Sequence, residues 1–95
     1  MSVERIAEGL TDFGLTYNQA KVYGALLNLQ VSTVGQLAKV SNVRREDVYR
    51  ILPTLERLGL VERILDTPVK LRALPLEKAL STLIEMEQRI AREKL

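Results

Sequence analysis

Three arginines and one tyrosine fall within a short stretch near the middle of the sequence, and their side chains are suited to nucleic-acid recognition. We expect a helix over about residues 44–58, whose outward side carries Arg44, Arg45, Tyr49 and Arg50. Arginine presents two donors to the O6 and N7 acceptors of guanine, and tyrosine contacts phosphate or packs on a thymine methyl group. The alternative is a solvated helix face on which these charges only pair with nearby carboxylates, as Arg50 would with Glu46.

The residues before this helix have the spacing of a helix-turn-helix. A close crossing of two helices needs a small side chain on the first, here Ala38, and a turn residue that accepts positive φ, here Asn42. The apolar positions that would face inward are Leu37, Val43, Val48 and Ile51. The pattern predicts a short first helix capped by Ser32 or Thr33 and a second helix that enters the major groove of DNA. An unrelated helical hairpin is the alternative.

Two runs of β-forming residues follow, and the segment Asp66-Thr67-Pro68 between them predicts a hairpin. Lys70 and Arg72 are two residues apart, so they share one face of the second strand. Over about residues 61–74 this hairpin would form a basic wing along the DNA backbone, whereas the alternative is an exposed edge kept soluble by charge. Further candidates for phosphate contacts are Arg63 in the hairpin and, before it, Thr33, Gln36 and Lys39.

Apolar residues at helical spacing predict three more helices, over residues 3–13, over residues 17–29 and from Pro75 to the C-terminus. The predicted fold is therefore mainly α with a small β-hairpin between the fourth and fifth helices. We expect residues 1–75 to form a DNA-binding domain and residues 76–95 to form an additional helix.

The last helix carries an apolar stripe that predicts dimerisation. Its members alternate at spacings of three and four, as in a coiled coil: Leu76, Ala79, Leu83, Met86 and Ile90. Beyond Met86 the helix would extend past so small a domain and leave Ile90 and Leu95 exposed. We therefore expect Leu83, Met86 and Ile90 to pair with the same helix of a second chain. The alternative is that the whole stripe packs on its own domain.

The composition excludes most kinds of catalysis. The 95 residues include no histidine and no cysteine, which rules out a thiolate nucleophile, a Ser-His-Asp triad and the usual zinc sites. Consecutive carboxylates such as Glu46 and Asp47 do not converge on one point of a helix, so we expect neither an enzyme nor a bound metal or cofactor. No apolar run approaches the roughly 20 residues of a membrane span, and we expect the protein to remain in the cytoplasm.

Positive charge is concentrated in the middle of the chain, although the whole sequence carries 14 basic and 12 acidic side chains. Residues 39–72 contain eight basic and five acidic residues, while the rest of the chain contains six and seven. A local excess of this kind attracts a polyanion. Together with the helix-turn-helix spacing, it favours double-stranded DNA as the partner.

Three segments of the sequence resemble the DNA-binding domain of the TrmB-like archaeal transcriptional regulators. The most specific matches are Ala20-Lys21-Val22-Tyr23 in the second helix, Val48-Tyr49 after the turn, and Leu58-Gly59-Leu60-Val61 before the hairpin. The resemblance covers roughly residues 5–80. It implies a winged helix-turn-helix that binds promoter DNA as a homodimer, with Arg45 and Tyr49 among its DNA contacts.

The sequence departs from this family's pattern at three positions. Asn42 replaces the usual glycine of the turn, Asp47 takes a position that is often polar or basic, and Pro53 would kink or widen the helix. Larger members carry a C-terminal sugar-binding domain that this chain, ending at Leu95, does not include, so no small-molecule effector is expected. Asp47, the small net charge and the missing domain leave an alternative function, a winged-helix module that binds a protein of the transcription machinery.

Overall fold

The computed structural model describes residues 3–94, which contain five helices and three short strands. Leu95, expected to be exposed, lies outside them. All five predicted helices and both hairpin strands are confirmed, with ends that differ by at most a few residues. In chain order the elements are α1 (Val3–Thr11), α2 (Tyr17–Leu29), β1 (Val31–Thr33), α3 (Val34–Ser41), α4 (Arg45–Arg57), β2 (Val61–Ile64), β3 (Lys70–Ala73) and α5 (Leu76–Glu93).

The hairpin belongs to a three-stranded antiparallel sheet, whereas the sequence had predicted two strands. The strand order is β1-β3-β2, so the second strand of the hairpin lies in the middle. Ser32 of β1 is opposite Leu71, which in turn faces Arg63 of β2. The strand β1 has only three residues between two helices, and so short a run shows no alternation that the sequence could reveal.

Helix α2 runs through the centre of the core. Three of its side chains have no exposed surface, those of Val22, Tyr23 and Leu26. They belong to one hydrophobic core to which each of the other four helices also contributes buried side chains. The start of α2 is fixed by a reciprocal cap in which Thr16 Oγ1 accepts from the Gln19 backbone N–H at 3.1 Å and Gln19 Oε1 accepts from the Thr16 N–H at 3.0 Å. This central helix is the support on which the helix-turn-helix rests.

Helix α4 continues past Pro53 without interruption to Arg57, and Pro53 is exposed. The proline cannot donate a hydrogen bond to the Tyr49 carbonyl, one turn earlier. Tyr49 and Pro53 both lie on the exposed side of α4, where water can take the place of a missing backbone donor. The inward side, which carries Val48, Leu52 and Leu55, stays buried.

The buried Tyr23 joins the core to the connection between the sheet and the last helix. Its hydroxyl donates a hydrogen bond to the Leu74 carbonyl at 2.7 Å, and burial raises the pKa of Tyr23 to about 12. Leu74 lies between β3 and α5, and its own N–H donates to the Leu60 carbonyl at 2.9 Å. The junction is therefore held from two sides.

We expect Tyr23→Phe to lower the free energy of unfolding by about 1 kcal/mol, because the hydrogen bond is lost and the Leu74 carbonyl loses its partner. Since the pKa of Tyr23 is higher in the folded state, the contribution of the neutral phenol is complete below about pH 10 and is lost as the pH rises towards 12. Urea unfolding at neutral and alkaline pH measures both effects. The control is Tyr17→Phe, at a half-exposed position, and equal losses in the two variants would contradict the prediction.

Candidate nucleic-acid interface

The turn between α3 and α4 has the predicted geometry. Asn42 adopts the left-handed conformation with φ 56° and ψ 37°, and the next residue, Val43, donates its N–H to the Ala38 carbonyl at 3.3 Å. Leu37 from α3 and Val48 from α4 are fully buried on the inner side of the crossing. Helix α3 is capped by Thr33, whose Oγ1 accepts from the Gln36 N–H at 3.3 Å. With its inner side anchored, α4 must present its other side to solvent.

The outward side of α4, together with Arg44 just before it, carries the four side chains that we expect to face DNA. Tyr49 is 57% exposed, and the three arginines lie on the surface beside it: Arg44, Arg45 and Arg50. The Glu46–Arg50 pair that the alternative interpretation required does not form. Glu46 Oε2 instead lies 3.5 Å from Arg44 Nη2, and Asp47 Oδ1 lies 3.9 Å from Arg50 Nη1. Exposed ion pairs of this kind contribute about 0–1 kcal/mol to stability, so another anion can easily replace the carboxylate partner.

Each cation of the hairpin is matched by a carboxylate. Arg72 contacts Glu62 at 2.9 Å, because these residues are directly opposite each other on β3 and β2. The other two pairs join Lys70 to Asp66 at 3.5 Å and Arg63 to Glu56 of α4 at 2.7 Å. The wing is therefore close to neutral in the free protein. The sequence did not reveal this, because the Arg72–Glu62 pair depends on strand register and the Arg63–Glu56 pair depends on how β2 packs beside α4.

At the wing tip, Asp66 is held as a carboxylate by two neighbours. It accepts a hydrogen bond from the Thr67 backbone N–H at 2.8 Å, and this bond, with the nearby Lys70 ammonium, lowers the pKa of Asp66. Asp66 therefore keeps its negative charge to a lower pH than an ordinary aspartate does, and this charge lies next to Lys70. A phosphate group approaching the tip would have to compete with this carboxylate for Lys70.

Two predicted cations are unpaired within the described part of the chain. Neither Lys39 nor Arg45 has an ion-pair partner among residues 3–94. Arg45 lies between two concave surfaces. One is shared with Gln36 and Lys39 on α3, and the other, with a volume of 330 Å³, is shared with Thr33, Tyr49 and the wing. The structure thus brings the predicted residues of α3 together with Arg45 and Tyr49, whereas Lys70 and Arg72 of the wing line neither surface.

The predicted dimerisation residues differ widely in accessibility. Leu83 lies in the core of its own domain with 3% of its surface exposed. The expectation that Leu83 pairs with a second chain does not fit this position. Met86 is half-buried, and Ile90 is 48% exposed. Both line an open groove of about 700 Å³, whose other wall includes Phe13 and Leu58. A second chain could therefore reach Met86 and Ile90 without disturbing the core.

Residues 3–94 lack the features of two other kinds of site. No helix in this part of the chain combines the length and the apolar character that crossing a membrane requires. The same residues contain no group of three or more acidic, histidine or cysteine side chains placed to hold a metal ion.

A helix-turn-helix followed by a small antiparallel sheet, with its hairpin beside the second helix, defines the winged helix-turn-helix class. A sequence profile described as "Sugar-specific transcriptional regulator TrmB" matches residues 10–77. The chain belongs to the TrmB family. No curated protein sequence matches it.

Solved structures share this fold over nearly the whole chain. The archaeal chromatin protein TrmBL2, whose structure "shows a novel mode of DNA binding", is 30% identical with a TM-score of 0.85; the match covers 98% of this chain and 37% of that one. The ST1889 protein of Sulfolobus tokodaii is 22% identical with a TM-score of 0.72, over 94% and 98% of the two chains. A MarR family protein of Bacillus stearothermophilus is 27% identical with a TM-score of 0.64, over 98% and 69%.

Proposed function

We propose that this domain binds double-stranded DNA by inserting α4 into the major groove, with Arg44, Arg45, Tyr49 and Arg50 facing the duplex. The observation that carries the proposal is the outward cluster itself, which lies on a helix whose opposite side is fully anchored in the core. The resemblance to TrmBL2, described as binding DNA, supports it. Such a regulator would act in the cytoplasm, where the DNA of an archaeal cell lies.

The wing would follow the sugar-phosphate backbone beside α4. Lys70 and Arg72 are already paired with carboxylates, so they must exchange these partners for phosphate. The exchange costs little, because both pairs lie at the surface, where water and salt screen an ion pair. We therefore assign the wing a smaller part of the binding free energy than the face around Arg45.

Two copies would bind together through the ends of their α5 helices. Met86 and Ile90 line an open groove with Phe13 and Leu58, and an α5 helix from a second copy supplies apolar side chains of the right kind to fill it. Two recognition helices related by a dyad read half-sites one helical turn apart, about 34 Å. Dimerisation would thus raise both affinity and discrimination, since a single helix reads only a few base pairs.

We expect the logarithm of the binding constant for duplex DNA to fall linearly with the logarithm of salt concentration. The slope should be about −0.9 for each phosphate neutralised. Fluorescence polarisation with a labelled duplex measures this slope, and selection from a random duplex pool shows whether a palindromic sequence is enriched. Wild-type protein that binds no duplex at low salt, or binds it independently of salt, would contradict the proposal.

A second candidate function is a module that binds a protein of the transcription machinery. The ion-paired wing favours it, because a nearly neutral surface attracts DNA less strongly than the sequence predicted. Pull-down after nuclease treatment separates the two functions. Stoichiometric recovery of a polymerase subunit, without any affinity for duplex DNA, would replace the first proposal with this one.

A further inference from the structure

The depression on the outer side of the helix-turn-helix holds two positive charges with no counter-ion from the described residues. One side of it is formed by residues of α3, namely Gly35, Gln36, Ala38 and Lys39. Arg45 reaches it from the first turn of α4. Among the cations predicted to contact DNA, Lys39 and Arg45 are also the two that form no ion pair within residues 3–94. Like charges that share one concave surface repel each other until an anion lies between them.

Gly35 provides the space for the guanidinium group. Arg45 Nη2 is 2.8 Å from the position that a Cβ atom on residue 35 would occupy, a distance that real Cβ atoms essentially never show. Any other residue at position 35 would therefore displace the Arg45 guanidinium from α3. Glycine also lowers helix stability relative to alanine, so α3 carries a residue that its own helix does not favour.

The position of the guanidinium group points to phosphate rather than to a base. An arginine that reads guanine must extend into the groove beyond its own helix, whereas Arg45 lies back over the first turn of α3. Arginine has five N–H donors and lysine has three, and both are suited to the non-bridging oxygens of phosphate. In helix-turn-helix proteins the first helix of the motif, here α3, also crosses the DNA backbone.

We propose that Gly35, Lys39 and Arg45 form a binding site for one phosphate group of the DNA backbone, in which Gly35 leaves room for the Arg45 guanidinium. The inference rests on the proposed function and refines it. Arg45 becomes a backbone contact, and base reading falls to the other outward residues of α4, which include Tyr49 and Arg50.

The test is a polarisation titration of the full chain with a labelled duplex over a series of salt concentrations. The double variant Lys39→Ala/Arg45→Ala should reduce the slope of log affinity against log salt by about 0.9 per bound protomer. This loss corresponds to about 8-fold weaker binding per protomer at 0.1 M salt, and it should vanish towards 1 M. An unchanged base preference in a random duplex pool should accompany it.

Gly35→Ala tests the role of the glycine. The atoms that meet the new Cβ belong to the end of a flexible side chain, so the variant should fold, with an unfolding midpoint no lower than that of the wild type. It should weaken binding in the wild-type background and have no effect when Arg45 is already alanine. The matched control is Gly9→Ala, since Gly9 also lies in a helix but has open space around it.

Three results would overturn the inference. An unchanged salt slope in the double variant would show that the depression binds no phosphate, and a loss of about 1.8 per protomer would show two separate phosphates. A changed base preference in Arg45→Ala, with the slope intact, would make Arg45 a base contact. Wild-type protein that binds no duplex at low salt would instead contradict the proposed function itself.

Discussion

Replacing Leu37 with alanine is expected to lower the free energy of unfolding by about 2–5 kcal/mol, the range for truncating a buried leucine. Leu37 has no exposed surface and is the large apolar side chain that α3 buries in the core. Domains of this size have a total stability of about 5–15 kcal/mol, so the variant would lose a large part of it. Urea unfolding followed by circular dichroism gives the difference directly.

Val40→Ala is the matched control for this prediction. Val40 lies on the same helix, loses apolar atoms like Leu37, and is 41% exposed. A surface substitution of this kind changes stability by no more than about 0.5 kcal/mol. If the two variants were equally stable, α3 would not be anchored through Leu37, and the outward orientation of α4 would lose its explanation.

Ile90→Glu is expected to produce a monomer and to weaken binding to a duplex with two half-sites by about 100-fold or more, because joining two binding modules raises affinity by about 10²–10⁴. The new carboxylate would lie on an exposed part of α5, so the fold of each domain should be unaffected. Sedimentation gives the oligomeric state, and polarisation titrations give the affinity. Both changes should occur together.

Gln88→Glu is the control, since it adds the same charge to an exposed position of the same helix on another side. It should remain dimeric and bind DNA only slightly less well. Ile90→Glu protein that stayed dimeric would show that the two chains meet elsewhere, and a monomeric wild type would show that dimerisation is not part of binding.

The helices could be predicted from the sequence because their signals are local. Apolar spacing identified all five, and the need for a residue that accepts positive φ identified Asn42 as the centre of the turn. The third strand could not be predicted. Its residues Val31, Ser32 and Thr33 pair with β3 about 40 positions later, and three residues have no readable pattern of their own.

The sequence predicted which residues of the candidate site are exposed, but it predicted few of the contacts that these residues form. The exposed positions of Arg44, Arg45, Tyr49 and Arg50 agree with the spacing of α4. The ion pair of Arg72 with Glu62 depends on cross-strand register, and the approach of Arg45 to Gly35 depends on how two helices cross. Neither follows from a local pattern. Likewise, an apolar repeat alone could not show that Leu83 is already used by its own core.

The short strand β1 joins the two parts of the molecule that would touch DNA. It runs directly into α3 through Thr33, and it pairs along its whole length with the wing strand β3. Backbone hydrogen bonds therefore tie the wing strand directly to the segment that begins α3. If α4 and the wing bind DNA as proposed, the β1–β3 pairing fixes the distance between their contacts in the free protein, and the duplex would have to adapt its shape to that distance.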